Sequence, residues 1–169
     1  MIIFSTSRLV VRKLCKSDLN FLHQIYGDEQ VMSQIPLQVL SLEETKVELD
    51  RIINAYNSNS HPLSVWGVYT QELDQFVGVC ASIRISSRCR DIGYRIKSTL
   101  WGNGYGTEIA EGIIDYLKSD AEVKIIQASV DVRNIASINI LKKFMKFIKK
   151  EYDPKNNSWS SHYELFNQN

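Results

Sequence analysis

The 169-residue chain predicts a single α+β domain, residues 1–169, built on a mixed, mostly antiparallel central sheet flanked by helices. Three observations predict it. Strand-like runs at 64–70, 76–85 and 91–96 are separated only by the short turns 71–75 and 86–90, the spacing of an antiparallel meander. The third run leads through a glycine-rich loop into a helical stripe and then a further strand at 124–132, a crossover that lays a helix against the sheet. A second helix and two closing strands, 147–152 and 162–166, complete the order. With 44% hydrophobic residues the chain is long enough to bury one core.

In chain order, 9–14 is short and rich in β-branched residues, which predicts a strand. Residues 17–26 predict a helix capped at Ser17 or Asp18. Ser41 with Glu44 three residues later is a capping box, and the helix behind it carries Leu49, Ile52, Ile53 and Tyr56 on one face. Polar turn formers at 57–62 and 153–161 predict loops. The helix after the glycines is expected over 107–119, with Ile109, Ala110, Ile113, Ile114 and Leu117 as its buried stripe. The second is expected over 137–146, with Ile138, Leu141 and Met145 inward.

Composition narrows the function. Lys and Arg number 20 against 19 Asp and Glu, so no global field favours nucleic acid or a membrane surface. The basic run Lys142, Lys143, Lys146, Lys149 and Lys150 reads as a solvated helix face and its exit. Cys15, Cys80 and Cys89 are odd in number without CxxC spacing, which excludes a disulfide framework and suits a reducing cytoplasm. No apolar run is long enough to span a bilayer, and the start lacks a signal-peptide layout. His23 falls on a helix and His61 in a loop, and no His, Cys and acid pair has metal-ligand spacing, so no metal is expected.

Gly102, Gly104 and Gly106 alternate just before the helix. Unpaired N–H groups at a helix N-terminus, approached through residues without side chains, make a pyrophosphate seat, and the same glycines also permit a plain tight turn. A Walker A loop needs a Lys-Ser/Thr pair, which does not follow Gly106. A dinucleotide fingerprint needs GxGxxG directly after the first strand, whereas GxGxG here comes late. Trp101-Gly102-Asn103-Gly104-Tyr105-Gly106 is similar to the coenzyme A loop [Q/R]xxGx[G/A] of the GCN5-related N-acetyltransferases, with Trp101 in the Gln/Arg place.

Further motifs carry the resemblance over nearly the whole chain, to the branch that acetylates ribosomal-protein N-termini. Arg8, Leu9, Arg12, Leu14 and Asp18 fall in register with its TxRLxLRxLxxxD opening. Asp28-Glu29-Gln30-Val31-Met32 resembles its D-x-x-V-M segment, and Phe76-Val77-Gly78 and Asp91-Ile92-Gly93-Tyr94 resemble two of its strands. That branch often carries Trp-Gly-x-Gly-Tyr in the loop. Asn134-Ile135-Ala136-Ser137, with Ile138 and Leu141, is similar to the family's NxxS[I/A]xxLxKxGF, but Phe144-Met145-Lys146-Phe147 replaces the Gly-Phe end.

The resemblance implies an acetyl-CoA-dependent N-acetyltransferase with an amine acceptor, a protein N-terminus or a small molecule. Residues Trp101, Gly102, Asn103, Gly104, Tyr105, Gly106 and Thr107 would bind the cofactor, with the Asn103 to Thr107 amides holding the pyrophosphate. The pantetheine would pair with the backbone near Arg95, Ile96 and Lys97, and the Ile96 N–H would face the carbonyl oxygen. Asn134 would bond the pantetheine arm. Ser137 would donate to the leaving thiol, because the place where many members use a Tyr is Leu141; a Ser there also suits a helix N-cap. Asp91, Glu108, Glu111 and His162 are candidates to take the amine proton, with Asp91 first. Cys89, between Arg88 and Arg90, could have a lowered pKa and carry a covalent acetyl group, but a turn cysteine with no His nearby in sequence reads as incidental. Trp66, Tyr69 and Tyr94 read as strand packing, with a place lining the acceptor groove open to one of them, and Trp159 and His162, in or beside a late polar loop, could gate that groove. A non-catalytic acyl-CoA-binding or sensing module on the same scaffold is the alternative, favoured by the absent Tyr and the altered helix end. Monomer and homodimer are both open.

Overall fold

Two near-continuous apolar runs become the centre of the sheet, β3 (Leu63–Thr70) and β4 (Phe76–Arg84), because helices bury both of their faces. The computed structural model describes residues 1–35, 37–57, 62–154 and 157–167. Around β3 and β4 lie β1 (Ile2–Ser5), β2 (Leu9–Lys13), β5 (Cys89–Ile96), β6 (Ile125–Asp131), β7 (Lys146–Asp153) and β8 (Ser158–Phe166). The strand order is β1-β2-β3-β4-β5-β6-β8-β7, and every pair is antiparallel except β5 with β6.

Among the described residues five α-helices cover this sheet: α1 (Leu19–Tyr26), α2 (Glu29–Met32), α3 (Leu42–Ala55), α4 (Tyr105–Lys118) and α5 (Ile135–Phe144). The period-2 alternation of each strand divides the core in two. Trp66, Val68, Ile92, Ile126 and Tyr163 face the stripe Ile109, Ile113, Ile114 and Leu117 of α4. Val65, Tyr69, Phe76 and Val79 face Leu22, Ile25, Leu49 and Ile52 of α1 and α3. The capping box holds α3 at its start: Ser41 Oγ accepts from the Glu44 N–H at 3.2 Å, and Glu44 Oε2 accepts from the Ser41 N–H at 2.8 Å. His23 serves packing, its Nδ1 lying 3.0 Å from Thr45 Oγ1 between α1 and α3.

The meander, the crossover and the closing strands stand as expected, and the differences lie at element ends. β1 is an added edge strand. A 3-10 turn over Lys16–Asp18 precedes α1. The loop expected at 153–161 is shorter, because β8 begins at Ser158; Trp159 therefore sits on a strand. Most of the loop expected at 57–62, with His61, lies outside the described residues. α5 runs two residues ahead of its expected span and ends where Met145 turns extended, at φ −132°. That exit needs no left-handed residue, so the missing glycine costs the helix end nothing. Among the described residues no helix is long and apolar enough to cross a membrane.

One irregularity matters most for function. β5 and β6 pair only through Cys89–Ile125, Arg90–Ile126 and Asp91–Gln127, although both strands continue. Beyond Asp91 they part, while β4 and β8 remain paired along their outer edges. At the open end β4 and β5 are held close: a Cβ added at Gly78 would lie 2.1 Å from the Arg95 carbonyl oxygen. Gly78→Ala is therefore expected to lower stability by about 1–3 kcal/mol through overpacking, measured as a reduced denaturant midpoint, and to weaken ligand binding at the adjoining cleft.

Candidate active site

The glycine loop closes the open end of the split. Gly102 and Gly104 both have φ of +79°, a region that L side chains rarely adopt. Gly104 is the N-cap of α4 and supplies no side-chain cap. The first intrahelical bond runs from the Glu108 N–H to the Gly104 carbonyl, so the N–H groups of Tyr105, Gly106 and Thr107 have no acceptor among the described residues. The helix thus starts two residues before its expected onset, on the second glycine rather than after the third.

Arg8, at the lip of the loop, is braced by an acid from α4. Glu108 accepts from Thr6 Oγ1 at 2.5 Å, Ser7 Oγ at 3.1 Å, the Arg8 N–H at 2.8 Å and Arg8 Nε at 2.7 Å. The guanidinium then reaches the loop, donating through Nη1 to the Asn103 carbonyl at 3.2 Å and lying 4.8 Å from the Tyr105 ring centre. Burial raises the Glu108 pKa, but the bonds from Thr6, Arg8 and Ser7 outweigh it and hold the carboxyl below its ordinary value. Glu108 is therefore a brace with its lone pairs engaged. Lys143 of α5 adds a second cation, 3.4 Å from Thr107 Oγ1.

The loop, β5 and α5 enclose a cavity of about 320 Å³. Its inner wall is the free edge of β5. The Lys97 N–H donates to the Val77 carbonyl at 3.0 Å, so by antiparallel alternation Arg95 and Lys97 aim their amides at β4. Tyr94 and Ile96 aim theirs into the split. Trp101 fixes the loop to this edge by donating from Nε1 to the Ile96 carbonyl at 2.9 Å. The roof comes from α2 and the segment after it, through Val31, Gln34 and Ile35. Asp28 places it: its carboxylate caps α2 and accepts from Ser98 Oγ at 2.5 Å, just before the glycine loop. The Ser98 bond is the main reason that its pKa is lowered.

The far wall is the β6–α5 turn. Arg133 donates from its N–H, Nε and Nη2 to the Asp131 carboxylate, each at 2.8 Å, and so locks the turn. Asn134 is the cap of α5, its Oδ1 accepting from the Ser137 N–H at 3.0 Å. This corrects the expectation that Ser137 suits the N-cap: Asn134 fills that position, and Ser137 sits in the first turn and lines the cavity. Leu141, one turn on, is buried in the core.

The candidate bases separate clearly. Asp91 is the last β5 residue paired with β6, and accepts from Gln127 Nε2 at 3.0 Å. Burial raises its pKa, opposed by the Gln127 bond and by His162. It lies on the sheet face opposite Ile92 and Tyr94, the face that Arg95 shares as it lies over the Tyr26 ring. His162 is on that face too, with Nδ1 2.9 Å from Ser129 Oγ and Nε2 3.4 Å from Glu151 Oε2. Glu111 is exposed on α4 and does not line the cavity. Cys89 keeps its incidental reading: burial, with Asp91 and Glu164 nearby, raises its thiol pKa more than Arg90 lowers it. A thiolate at Cys89 is therefore disfavoured, and the covalent route loses its basis.

Of the residues named from sequence, Arg95, Ile96, Trp101, Gly102, Gly104, Tyr105, Gly106, Thr107, Asn134 and Ser137 line this one cavity. Asn103 contributes its carbonyl to Arg8 and its side chain to the loop's own carbonyls at Leu100 and Trp101. Lys97 and Asp91 lie outside the lining. Sequence reasoning gave no role at this site to Arg8, Gln34, Ile35 or Lys143, which arrive by long-range packing. Among the described residues no cluster of His, Cys, Asp and Glu could hold a metal ion. Coenzyme A fits what is present: unpartnered helix amides, a cation braced beside them, and a walled cleft with a bare strand edge.

Comparison with known proteins agrees. The family model described as an acetyltransferase (GNAT) domain matches residues 8–144. A relative from Bacillus licheniformis, the uncharacterized N-acetyltransferase p20, is 25% identical over 138 residues, 80% of this chain and 77% of its own. The crystal structure of a GNAT-family acetyltransferase from Bacillus anthracis superposes with a TM-score of 0.85 at 20% identity, covering 100% of both chains. RimL, the ribosomal L7/L12 alpha-N-protein acetyltransferase, in complex with coenzyme A, superposes with a TM-score of 0.82 at 18% identity over 98% of each chain. These two likenesses show the fold.

Two predictions follow from the loop and its brace. Gly104→Val places a β-branched residue at positive φ, with its Cβ 3.5 Å from Arg8 Nη2, in the mouth of the seat. Calorimetric titration should show acetyl-CoA affinity reduced by more than about tenfold. The Glu108 carboxyl has its pKa lowered on folding, so its stabilisation is full above the ordinary value of 4.5 and is lost as pH falls through the lower folded value. The gap in melting temperature between the native chain and Glu108→Gln should therefore be widest near neutral pH and close in acid.

Proposed function

The chain belongs to the GNAT acetyltransferase family and is an N-acetyltransferase, and from that premise we propose that it moves an acetyl group from acetyl-CoA directly to a primary amine, at a protein N-terminus or on a small molecule. The observation that carries the proposal is the lapse of β5–β6 pairing beside an uncapped α4 N-terminus. Acetyl-CoA, when bound, supplies the activated thioester. The amides of Tyr105, Gly106 and Thr107, with Arg8 at the lip, hold its phosphates. Asn134 offers Nδ2 to the pantetheine arm, since its Oδ1 is engaged in the cap. The Ile96 N–H donates to the carbonyl oxygen as negative charge develops there.

Ser137 donates a hydrogen bond from its hydroxyl to the departing sulfur, which leaves as a thiolate and takes its proton from water. Asp91, on the opposite face, takes the proton of the incoming amine through water. Its raised pKa brings a carboxylate closer to the range where a base is effective near neutral pH. Amine and leaving group are thus served from two faces of one split. The three free thiols fit the reducing compartment in which acetyl-CoA is used.

The test is thiol release from acetyl-CoA during incubation with N-terminal peptides, polyamines and aminoglycosides, expected with at least one class. Acetyl-CoA binding without release for every amine would favour the non-catalytic module. Ser137→Ala should lower kcat about tenfold, roughly the worth of one hydrogen bond to a developing charge. Its acetyl-CoA Kd should stay within about twofold, because the cap belongs to Asn134; a parallel loss of affinity would show that Ser137 acts in binding rather than in transfer.

A further inference from the structure

A glycine in a folded chain costs conformational entropy, and two structural reasons offset that cost: a backbone conformation closed to other residues, or an atom lying where a Cβ would stand. Gly102 and Gly104 have the first reason. Every other glycine of the chain except Gly93 has the second, with an atom under 3.0 Å from the added Cβ. Gly93 has neither. It lies inside β5, paired with Ala81 of β4, and its φ is not positive. It is the one exposed residue of that strand, and among the described residues no atom lies within 4 Å of where its Cβ would be. Alanine would fit there and would favour the strand, so neither packing nor backbone geometry accounts for the glycine. A glycine of this kind marks a place where something outside the chain comes close to the backbone.

Its position is where the sheet opens. On the face away from α4 and α5, β5 presents Cys89, Asp91, Gly93 and Arg95 in turn. Asp91 is the last residue still paired with β6, opposite Gln127, so Gly93 is the first on that face beyond the parting of the strands. Across the opening, two residues beyond Gln127, stands Ser129, its Oγ 2.9 Å from His162 Nδ1. Arg95 leans the other way, its guanidinium carbon 5.0 Å from the Tyr26 ring centre. The rim of the opening at residue 93 is therefore bare backbone, with the Asp91 carboxylate behind it. Gly93 does not line the cleft bounded by the glycine loop and α5, so the cofactor does not explain it either. What remains is the molecule that approaches from the opposite face.

We propose that Gly93 is a specificity-determining residue of the acceptor subsite: the carbon that bears the acceptor's amine passes over residue 93, and the absent side chain makes room for a substituent on that carbon. The proposal rests on the transfer reading, with acetyl-CoA on the α4 side of the opening and the amine on the other. An amine arriving over Gly93 has Asp91 about 7 Å behind it along the strand, within reach through one water, and the Ile96 N–H ahead of it. The acceptor class is a primary amine on a substituted carbon. An unbranched aminoalkyl group would leave the space over Gly93 unused. A methyl at position 93 would project into the space of the substituent and leave the amine's own path clear. Gly93 makes and breaks no bond itself.

The experiment compares the native chain with Gly93→Ala and Gly93→Val, using acceptors in pairs that differ by one methyl on the amine-bearing carbon: peptides beginning with Gly or Ala, and n-butylamine or sec-butylamine. Thiol release gives kcat/KM for each. The native chain should accept the branched member of at least one pair. Gly93→Ala should lower kcat/KM for that member about tenfold and for its unbranched partner by less than about threefold. Gly93→Val should lower both. The acetyl-CoA Kd should stay within about twofold, and the melting temperature of Gly93→Ala should be unchanged or higher, since the strand gains a better-suited residue. Equal losses for both members in Gly93→Ala, unchanged kcat/KM in both variants, or a native preference for unbranched amines alone overturns the proposal. So does a parallel loss of acetyl-CoA affinity, which would assign the glycine to the cofactor, or a lowered melting temperature in Gly93→Ala, which would assign it to the fold. Native release with unaffected variants removes this proposal alone, whereas no release from the native chain with any amine removes the transfer reading and this proposal with it.

Discussion

Three residue pairs of parallel pairing, and no more, join the two halves of the sheet at β5 and β6. Everything functional depends on where that ladder stops. Up to Asp91 and Gln127 the strands exchange backbone hydrogen bonds, and beyond them each remains bonded only to its outer neighbour. The amides of Tyr94 and Ile96 are thereby turned toward a strand that has moved away. Backbone polar groups inside a fold call for partners. Here a bound, amide-bearing chain can act as the partner, in the way an added strand would. Gly78 on the β4 side and the Trp101–Ile96 bond at the loop keep that edge straight and in place.

The faces of the split differ in chemistry because strand alternation makes them differ. On one face Ile92, Tyr94 and Ile96 point toward α4 and α5, where helix amides and the Ser137 hydroxyl supply hydrogen-bond donors. On the other, Asp91, Gln127, Ser129 and His162 form a polar floor, since α1 and α3 pack over β4 and β3 and not over the far strands. Positive charge gathers at the loop through Arg8 and Lys143, and carboxylates lie on the floor. Cationic and anionic side chains thus lie at different places on one sheet.

Much of the fold was legible in sequence because it rests on local periodicity. The meander turns, the stripe of α4 and the Ser41–Glu44 box all need only neighbours within a few residues. The loop was legible for the same reason, since its glycines sit together. Legibility failed where a boundary depends on a contact made elsewhere. α4 begins on Gly104 because its left-handed φ lets a glycine cap the helix, and α5 begins early because Asn134, held by the Asp131–Arg133 turn, takes the cap from Ser137. Arg8 lies a hundred residues from Glu108 in sequence, and no pattern joins them. The arginine neighbours of Cys89 are visible in the sequence, while the burial that governs its thiol is not.

Leu141 and Tyr94 both pack where α4 and α5 meet the sheet. A hydroxyl on α5 one turn beyond Ser137 would have to occupy the position that Leu141 fills in the core, packed with Ile109, Ala128 and Tyr163 in one cluster. Removing that leucine would open a cavity where α5 meets the sheet, at a cost of about 2–5 kcal/mol. Residue 94 points to the same side of the sheet as α5, and its ring passes beneath Gly106. Gly106 is the residue that makes room for that ring: any side chain there would meet Ile140 and crowd the Tyr94 ring. The third glycine of the loop is thus fixed by packing under the helix, whereas the first two are fixed by backbone conformation above it.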